Sequence, residues 1–190
     1  MRNAIYFQSG GPTQVINASF YGVIKGCLKH QDKIGVLYGS RYGIEGIIND
    51  DLVVIEKDIS IYEEIKEMNG AILGSARLKL KGLEDPKYAQ ILETFRKYDI
   101  GYVFVNGGND SMDTADKLNK YFEQAGYDCI VIGIPKTIDN DLVNIDHTPG
   151  YGSASKYIVR TVMEVALDLQ VYSKGRVTLM EMMGRDSGWL

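Results

Sequence analysis

The chain has little cysteine, little histidine and no long apolar run. Its two cysteines, Cys27 and Cys129, lie in separate apolar stretches without CxxC spacing. That rules out a disulfide framework and points to buried thiols in a reducing, cytoplasmic setting. Two histidines with no Cys/His cluster exclude the usual zinc sites. No stretch approaches the roughly 18 apolar residues that span a bilayer. Met1–Phe7 lacks the h-region and cleavage site of a signal peptide and reads directly as a strand. Positive charge is not in excess either. Lys and Arg number 21 against 25 Asp and Glu, a formal net charge of -4, which argues against nucleic acid or an anionic membrane as a partner. What is present suits one soluble globular domain: 190 residues, 45% hydrophobic and 24% charged, enough for a real core.

Strand and helix patterns alternate along the chain. Ala4–Phe7 is a short apolar run ended by Ser9-Gly10-Gly11-Pro12. Ile16, Phe20, Val23, Ile24 and Cys27 then recur at helical spacing between Val15 and His30. Ile34–Tyr38 reads as a strand, Gly39–Gly46 as a loose loop and Leu52–Ile55 as a further short strand. Ser60 and Glu63 have capping-box spacing, which predicts a helix from there to about Gly70. Pro86 opens the next helix, with Tyr88, Ile91, Leu92 and Phe95 as its buried stripe. Ile100–Val105 is a strand ended by Asn106-Gly107-Gly108, followed by a helix marked by Met112, Ala115, Leu118 and Phe122. Cys129–Ile134 reads as a buried strand. Ala154, Ile158, Val162, Val165 and Leu169 share one side of a long helix, and Val177–Met183 is expected to be the last strand. This βαβαβ order implies an α/β fold, a mostly parallel sheet with helices on both faces in a Rossmann-like three-layer arrangement. Right-handed crossovers would bring the turns Ser9–Pro12, Asn106–Ser111, Lys136–Asp141 and Gly184-Arg185-Asp186 to one rim. The chain stops just after such a turn, which suggests the front portion of a longer protein.

Chemistry concentrates in those turns. Pro135-Lys136-Thr137-Ile138-Asp139-Asn140-Asp141 sets a cation, a hydroxyl and two carboxylates directly after an apolar strand. Open parallel sheets bind ligands in the crevice beyond such strand ends. A lysine suits phosphate oxygens, and carboxylates suit a metal or a proton. The alternative is an Asx-rich turn with no ligand. Gly10-Gly11 lets backbone approach an anion at a helix N-terminus, or is simply a tight turn. In Asn106–Ser111 the glycines clear space for phosphates, and Asn109 and Asp110 offer oxygen to Mg²⁺. Asp110 or Ser111 could equally cap the helix, and the two roles are compatible. Arg77, after Gly74-Ser75-Ala76, can grip a phosphate bidentately or make a surface ion pair. Arg176 and Arg185 bracket the expected last strand, about 27–30 Å apart if it is extended. One site could then use both only if one came from a neighbouring subunit. The tyrosines, Tyr6, Tyr38, Tyr42 and Tyr151 among them, read as core or rim.

From Ser9-Gly10-Gly11 through Gly74–Arg77, Gly107–Ser111, Pro135–Asp141 and Arg176 to Met183-Gly184-Arg185, the chain resembles the N-terminal half of phosphofructokinases. It looks closest to their pyrophosphate-dependent branch. The resemblance implies a cytoplasmic, glycolytic phosphotransferase acting on fructose 6-phosphate with Mg²⁺, in a homodimer or homotetramer. Asp139 would take the proton of the sugar C1 hydroxyl. Thr137 and Asp141 would hold the sugar phosphate. Met183, Gly184 and Arg185 would continue that pocket, and Arg176 would reach the substrate of an adjacent subunit. Gly11, with Gly10, Gly108, Asn109 and Ser111, would line the donor site, and Arg77 would stabilise charge on the transferring group. ATP-dependent members carry glycine where this chain has Asp110 and Lys136. A carboxylate at Asp110 would repel an α-phosphate, and Lys136 would give a fixed charge to a donor with no adenosine to anchor it. Two positions depart from the family pattern. The usual aspartate is Asn109, a weaker metal ligand, which leaves the metal to Asn109 or Asp110, and the first loop reads Gly-Gly-Pro. On this resemblance residues 1–190 form a single α/β domain that binds the phosphoryl donor. The second, substrate-binding domain would be absent and the piece alone inactive.

Overall fold

A computed structural model describes residues 1–184 and 186–190. They fall into two compact units, Met1–Lys136 and Thr137–Leu190.

The first unit is built on a five-stranded sheet: β1 (Arg2–Gln8), β2 (Ile34–Ser40), β3 (Leu52–Val54), β4 (Ile100–Gly107) and β5 (Ile130–Pro135), in the spatial order β3-β2-β1-β4-β5. All neighbours run parallel except the short edge strand β3, which is antiparallel to β2. β1 is central, and its alternation sorts the core. Ile5 and Phe7 join Ile44 and Ile47 of α2 (Ile44–Ile48), Tyr88, Ile91 and Phe95 of α3 (Lys87–Lys97), and Leu118 and Phe122 of α4 (Asn109–Gln124) on one face. Ala4 and Tyr6 meet Phe20 and Ile24 of α1 (Gln14–Lys29) on the other. Side chains that alternate along a strand point to opposite faces, so the unbroken apolar run Ala4–Phe7 of β1 requires cover on both. The expected three layers are therefore present.

Three expectations fail locally. The loop 39–46 ends in the short helix α2, and no helix runs from Ser60 to Gly70. Two 3₁₀ turns, Ile59–Tyr62 and Ile65–Glu67, stand there instead. The capping box is broken by competition. Asp58 accepts both the Ser60 amide, at 3.0 Å, and its hydroxyl, at 2.6 Å, while Glu63 accepts the Tyr21 hydroxyl at 2.6 Å. β5 is an edge rather than a buried strand, with Ile130 and Ile132 about half exposed.

In the second unit, α5 (Tyr151–Leu169) has the expected stripe, with Ala154, Ile158, Val165 and Leu169 half-buried and Val162 exposed. Val177–Met183 does not form a strand: no ladder among the described residues includes it, and Val177 and Leu179 are over nine-tenths exposed. An extended segment needs a neighbour for its N–H and C=O groups, and without one the apolar run stays open. The strand on which the Arg176–Arg185 separation rests is thus absent among the described residues, and Arg185 itself lies outside them.

Burial pushes the Cys27 thiol up to about 11 and the Cys129 thiol up to about 12. Both stay protonated near neutral pH, and only a thiolate attacks thiol reagents. Neither should react with an aromatic disulfide reagent in the native protein, whereas both should in denaturant. The folded state keeps protons that the unfolded chain releases, so this contribution to stability is complete below the ordinary thiol range near 9 and is lost as pH rises through about 11 to 12.

Candidate active site

The ladders bring three strand ends level. Gln8 of β1 lies opposite Asn106 of β4, and Gly107 lies opposite Pro135 of β5. The turns that follow are then tied to one another. The Ser9 amide donates to Asn106 O at 2.9 Å, and the Lys136 amide donates to Gly107 O at 2.9 Å. The Lys136 side chain, only 5% exposed, reaches back so that its Nζ donates to Gly11 O at 2.6 Å. A β-carbon built on Gly10 would lie 3.6 Å from that Nζ, and one on Gly108 would lie 3.6 Å from Lys136 O. Gly107 has no such latitude: its β-carbon would come within 2.0 Å of Ser111 Oγ. Three turns far apart in sequence thus pack as one floor around an ammonium group.

A fourth segment walls it. The Ser75 hydroxyl donates to Gly10 O at 2.6 Å and the Ser9 hydroxyl donates to Ala76 O at 3.1 Å. Buried Gln8 donates from Nε2 to Gly74 O at 2.9 Å. Buried Asn17 donates to Met68 O at 3.0 Å and accepts the Ile72 amide at 2.9 Å. Gly74, at φ +72, holds its Cα face against the Tyr42 ring, where a β-carbon would meet the ring at 2.6 Å. The result is an open cleft of about 450 Å³ lined by Gly10, Gly11, Pro12, Gly74, Ser75 and Arg77. Arg77 is exposed, and its Nη2 would stand 3.9 Å from a Gly11 β-carbon. The sequence reading does not single out Gln8 or Asn17, gives Ser75 no role of its own within the Gly74–Arg77 motif, and places Tyr42 only as core or rim. The signal available was a polar residue ending an apolar strand (Gln8) and one set in the apolar stripe of α1 (Asn17).

α4 starts at Asn109 with Gly108 as N-cap and no side-chain cap, so neither Asp110 nor Ser111 serves as one. Ser111 is buried. Asp110 is exposed in the first turn, where a carboxylate suits the helix dipole, with the Lys79 ammonium 3.6 Å away. Among the described residues no three His, Cys, Asp or Glu side chains gather as a metal cluster. That donor set fits Mg²⁺ only in its usual phosphate-borne form. Asp110, and the neutral Asn109 beside it, would supply one or two oxygens while waters and phosphate oxygens supply the rest.

In the second unit Thr137 is buried, and Asp139 and Asp141 are half-buried. The Asp139 amide donates to Thr137 Oγ1 at 3.1 Å, and the Trp189 indole donates to Asp139 O at 2.9 Å. A β-carbon on Gly184 would lie 3.5 Å from Asp139 Oδ1. The unit therefore gathers Thr137, Asp139 and Gly184. Met183 is exposed, and Arg176 is held over the Tyr172 ring at 3.7 Å. Arg185 lies outside the described residues.

Residues 3–190 match the Phosphofructokinase family model. The chain is 42% identical to the pyrophosphate–fructose 6-phosphate 1-phosphotransferase of Halomonas elongata, covering 99% of this chain and 46% of that one. It is 41% identical to the enzyme of the same name from Methylococcus capsulatus, over 100% of this chain and 46% of the other. A crystal structure of pyrophosphate-dependent phosphofructokinase from Marinobacter aquaeolei superposes with a TM-score of 0.81 at 43% identity, over 89% of this chain and 42% of that one. The chain spans about half the length of the curated relatives it matches.

Proposed function

Because the chain belongs to the phosphofructokinase family, we propose that the protein it forms part of transfers a phosphoryl group from pyrophosphate to fructose 6-phosphate, giving fructose 1,6-bisphosphate. The observation that carries this reading is the buried Lys136 ammonium on Gly11 O, at a glycine floor walled by Ser75 and Arg77. A fixed charge in a partly dry site stabilises developing negative charge without reorganising. Pyrophosphate lies against the Gly10-Gly11 and Gly108–Ser111 turns, and Arg77 meets the transferring group. Asp139 accepts the proton of the C1 hydroxyl as its oxygen attacks phosphorus, the bond to the bridging oxygen breaks, and phosphate leaves. Thr137, Asp141, Gly184, Met183 and Arg185 hold the sugar phosphate, with Arg176 serving a neighbouring subunit of a homodimer or homotetramer. Asp110 or Asn109 would hold Mg²⁺, which would supply charge neutralisation at the pyrophosphate oxygens when bound. Among the described residues no helix is long and apolar enough to cross a membrane. The proposed reaction implies a cytoplasmic glycolytic role. Asp110 beside the donor disfavours an α-phosphate, so pyrophosphate is preferred over ATP.

The complete protein should form fructose 1,6-bisphosphate with pyrophosphate and Mg²⁺ and do so poorly with ATP. Equal or better turnover with ATP would overturn the donor assignment. No turnover with either donor would overturn the phosphotransferase reading.

A further inference from the structure

The turn that carries Asp139 is bracketed by one residue that the sequence does not single out. Thr148 is 3% exposed. Its hydroxyl donates to Thr137 O at 2.6 Å, and its amide donates to Asn140 Oδ1 at 2.9 Å. The Thr137 amide returns a bond to Pro149 O at 3.1 Å, and Thr137 forms a bridge with Gly150. Thr148 therefore grips the chain two residues before Asp139 and one residue after it. Asn140 stands at φ +49, a left-handed conformation that Asn tolerates better than most residues and that its bond to Thr148 helps to fix. The amide and carbonyl of Asp139 are already used, by Thr137 Oγ1 and the Trp189 indole. The carboxylate is the remaining polar group of the residue, and its direction is set by a turn clamped on both sides.

We infer that Thr148 is a positioning residue for Asp139: its hydroxyl and amide together fix the 137–140 turn in the geometry from which the carboxylate reaches the substrate hydroxyl. The inference rests on the proposed function for its kinetic consequence, and on the turn geometry alone for its structural one. A buried hydroxyl on a carbonyl resists replacement because its loss leaves that carbonyl bare. A displacement of about 1 Å in a reacting group is enough to lower a rate about 10²-fold.

The test compares Thr148→Val, which keeps the shape and loses the hydroxyl, with Thr148→Ser, which keeps the hydroxyl, in the complete protein. Thr148→Val should lower kcat by about 10- to 100-fold while KM for pyrophosphate moves less than about twofold. Thr148→Ser should stay within about threefold of the parent in kcat. Acrylamide quenching of the Trp189 indole, isolated by difference against Trp189→Phe, should rise in Thr148→Val and not in Thr148→Ser. Equal kcat in the two variants, or a loss confined to KM for pyrophosphate, would overturn the inference. If the parent protein turns over neither donor, the proposed function fails and quenching decides: a rise only in Thr148→Val supports the clamp, and equal quenching refutes it. Should Thr148→Val not fold, Thr148→Ala carries the same comparison.

Discussion

In the complete protein, Asp139→Ala should lower kcat about 10³-fold, within the roughly 10²–10⁴ that a positioned acid or base contributes. The physical reason is simple. A C1 hydroxyl is a poor nucleophile while it keeps its proton, and alanine offers nothing to receive that proton. KM for pyrophosphate should barely move, because the substitution leaves the Gly10-Gly11 turn and the Lys136 ammonium bonded to it in place. Asp139→Asn should behave like the alanine variant, since an amide fills the space without basicity. Steady-state kinetics with both substrates varied measures this. Near-parental turnover in Asp139→Ala would mean that Asp139 is no base, and a purely binding role for the domain would gain.

The second large effect concerns the donor. Asp110→Gly with Lys136→Gly should lower kcat/KM for pyrophosphate by several kcal/mol of transition-state binding, about 10²–10³-fold or more. Most of the loss should follow Lys136. Its side chain is buried and bonded to Gly11 O, so glycine there removes a charge and bares a carbonyl together. Lys136→Met keeps the stem and removes the ammonium, so a drop in activity at an unchanged melting temperature assigns the loss to the ammonium and not to lost packing. Asp110 is exposed and near Lys79, so Asp110→Gly alone should change stability little and should mainly relax discrimination against ATP. Unchanged pyrophosphate kinetics in the double variant would refute the donor assignment.

How legible was this in the sequence? The long periodic elements were, because their signal is the burial that makes them. β1 and β4 read as apolar runs and α3 and α4 as stripes, and their residues fill the two core clusters. The candidate turns were legible because glycine, lysine and aspartate are unusual company just past a strand. Short elements were not. The Ser60-Glu63 pattern was undone by Asp58 and Tyr21, hydrogen-bond competitors that spacing cannot rank. Val177–Met183 has strand composition, but composition does not supply a partner. The supporting side chains were hidden for a related reason. Gln8, Asn17 and Thr148 act on backbone carbonyls and amides of other segments, and no motif marks which carbonyl a buried amide or hydroxyl will find.

The level strand ends have one more implication. A slip of one residue in β4 would turn all its side chains to the wrong face and carry Gly107 away from Ser9 and Lys136 together. The lip of the cleft is thus ruled by the ladder beneath it, as pickets are set by a common rail. The opposite margin is pinned separately, by Arg2 donating to Asp99 Oδ1 at 3.1 Å and to Ile100 O at 2.7 Å, so the same rail is fastened at both ends.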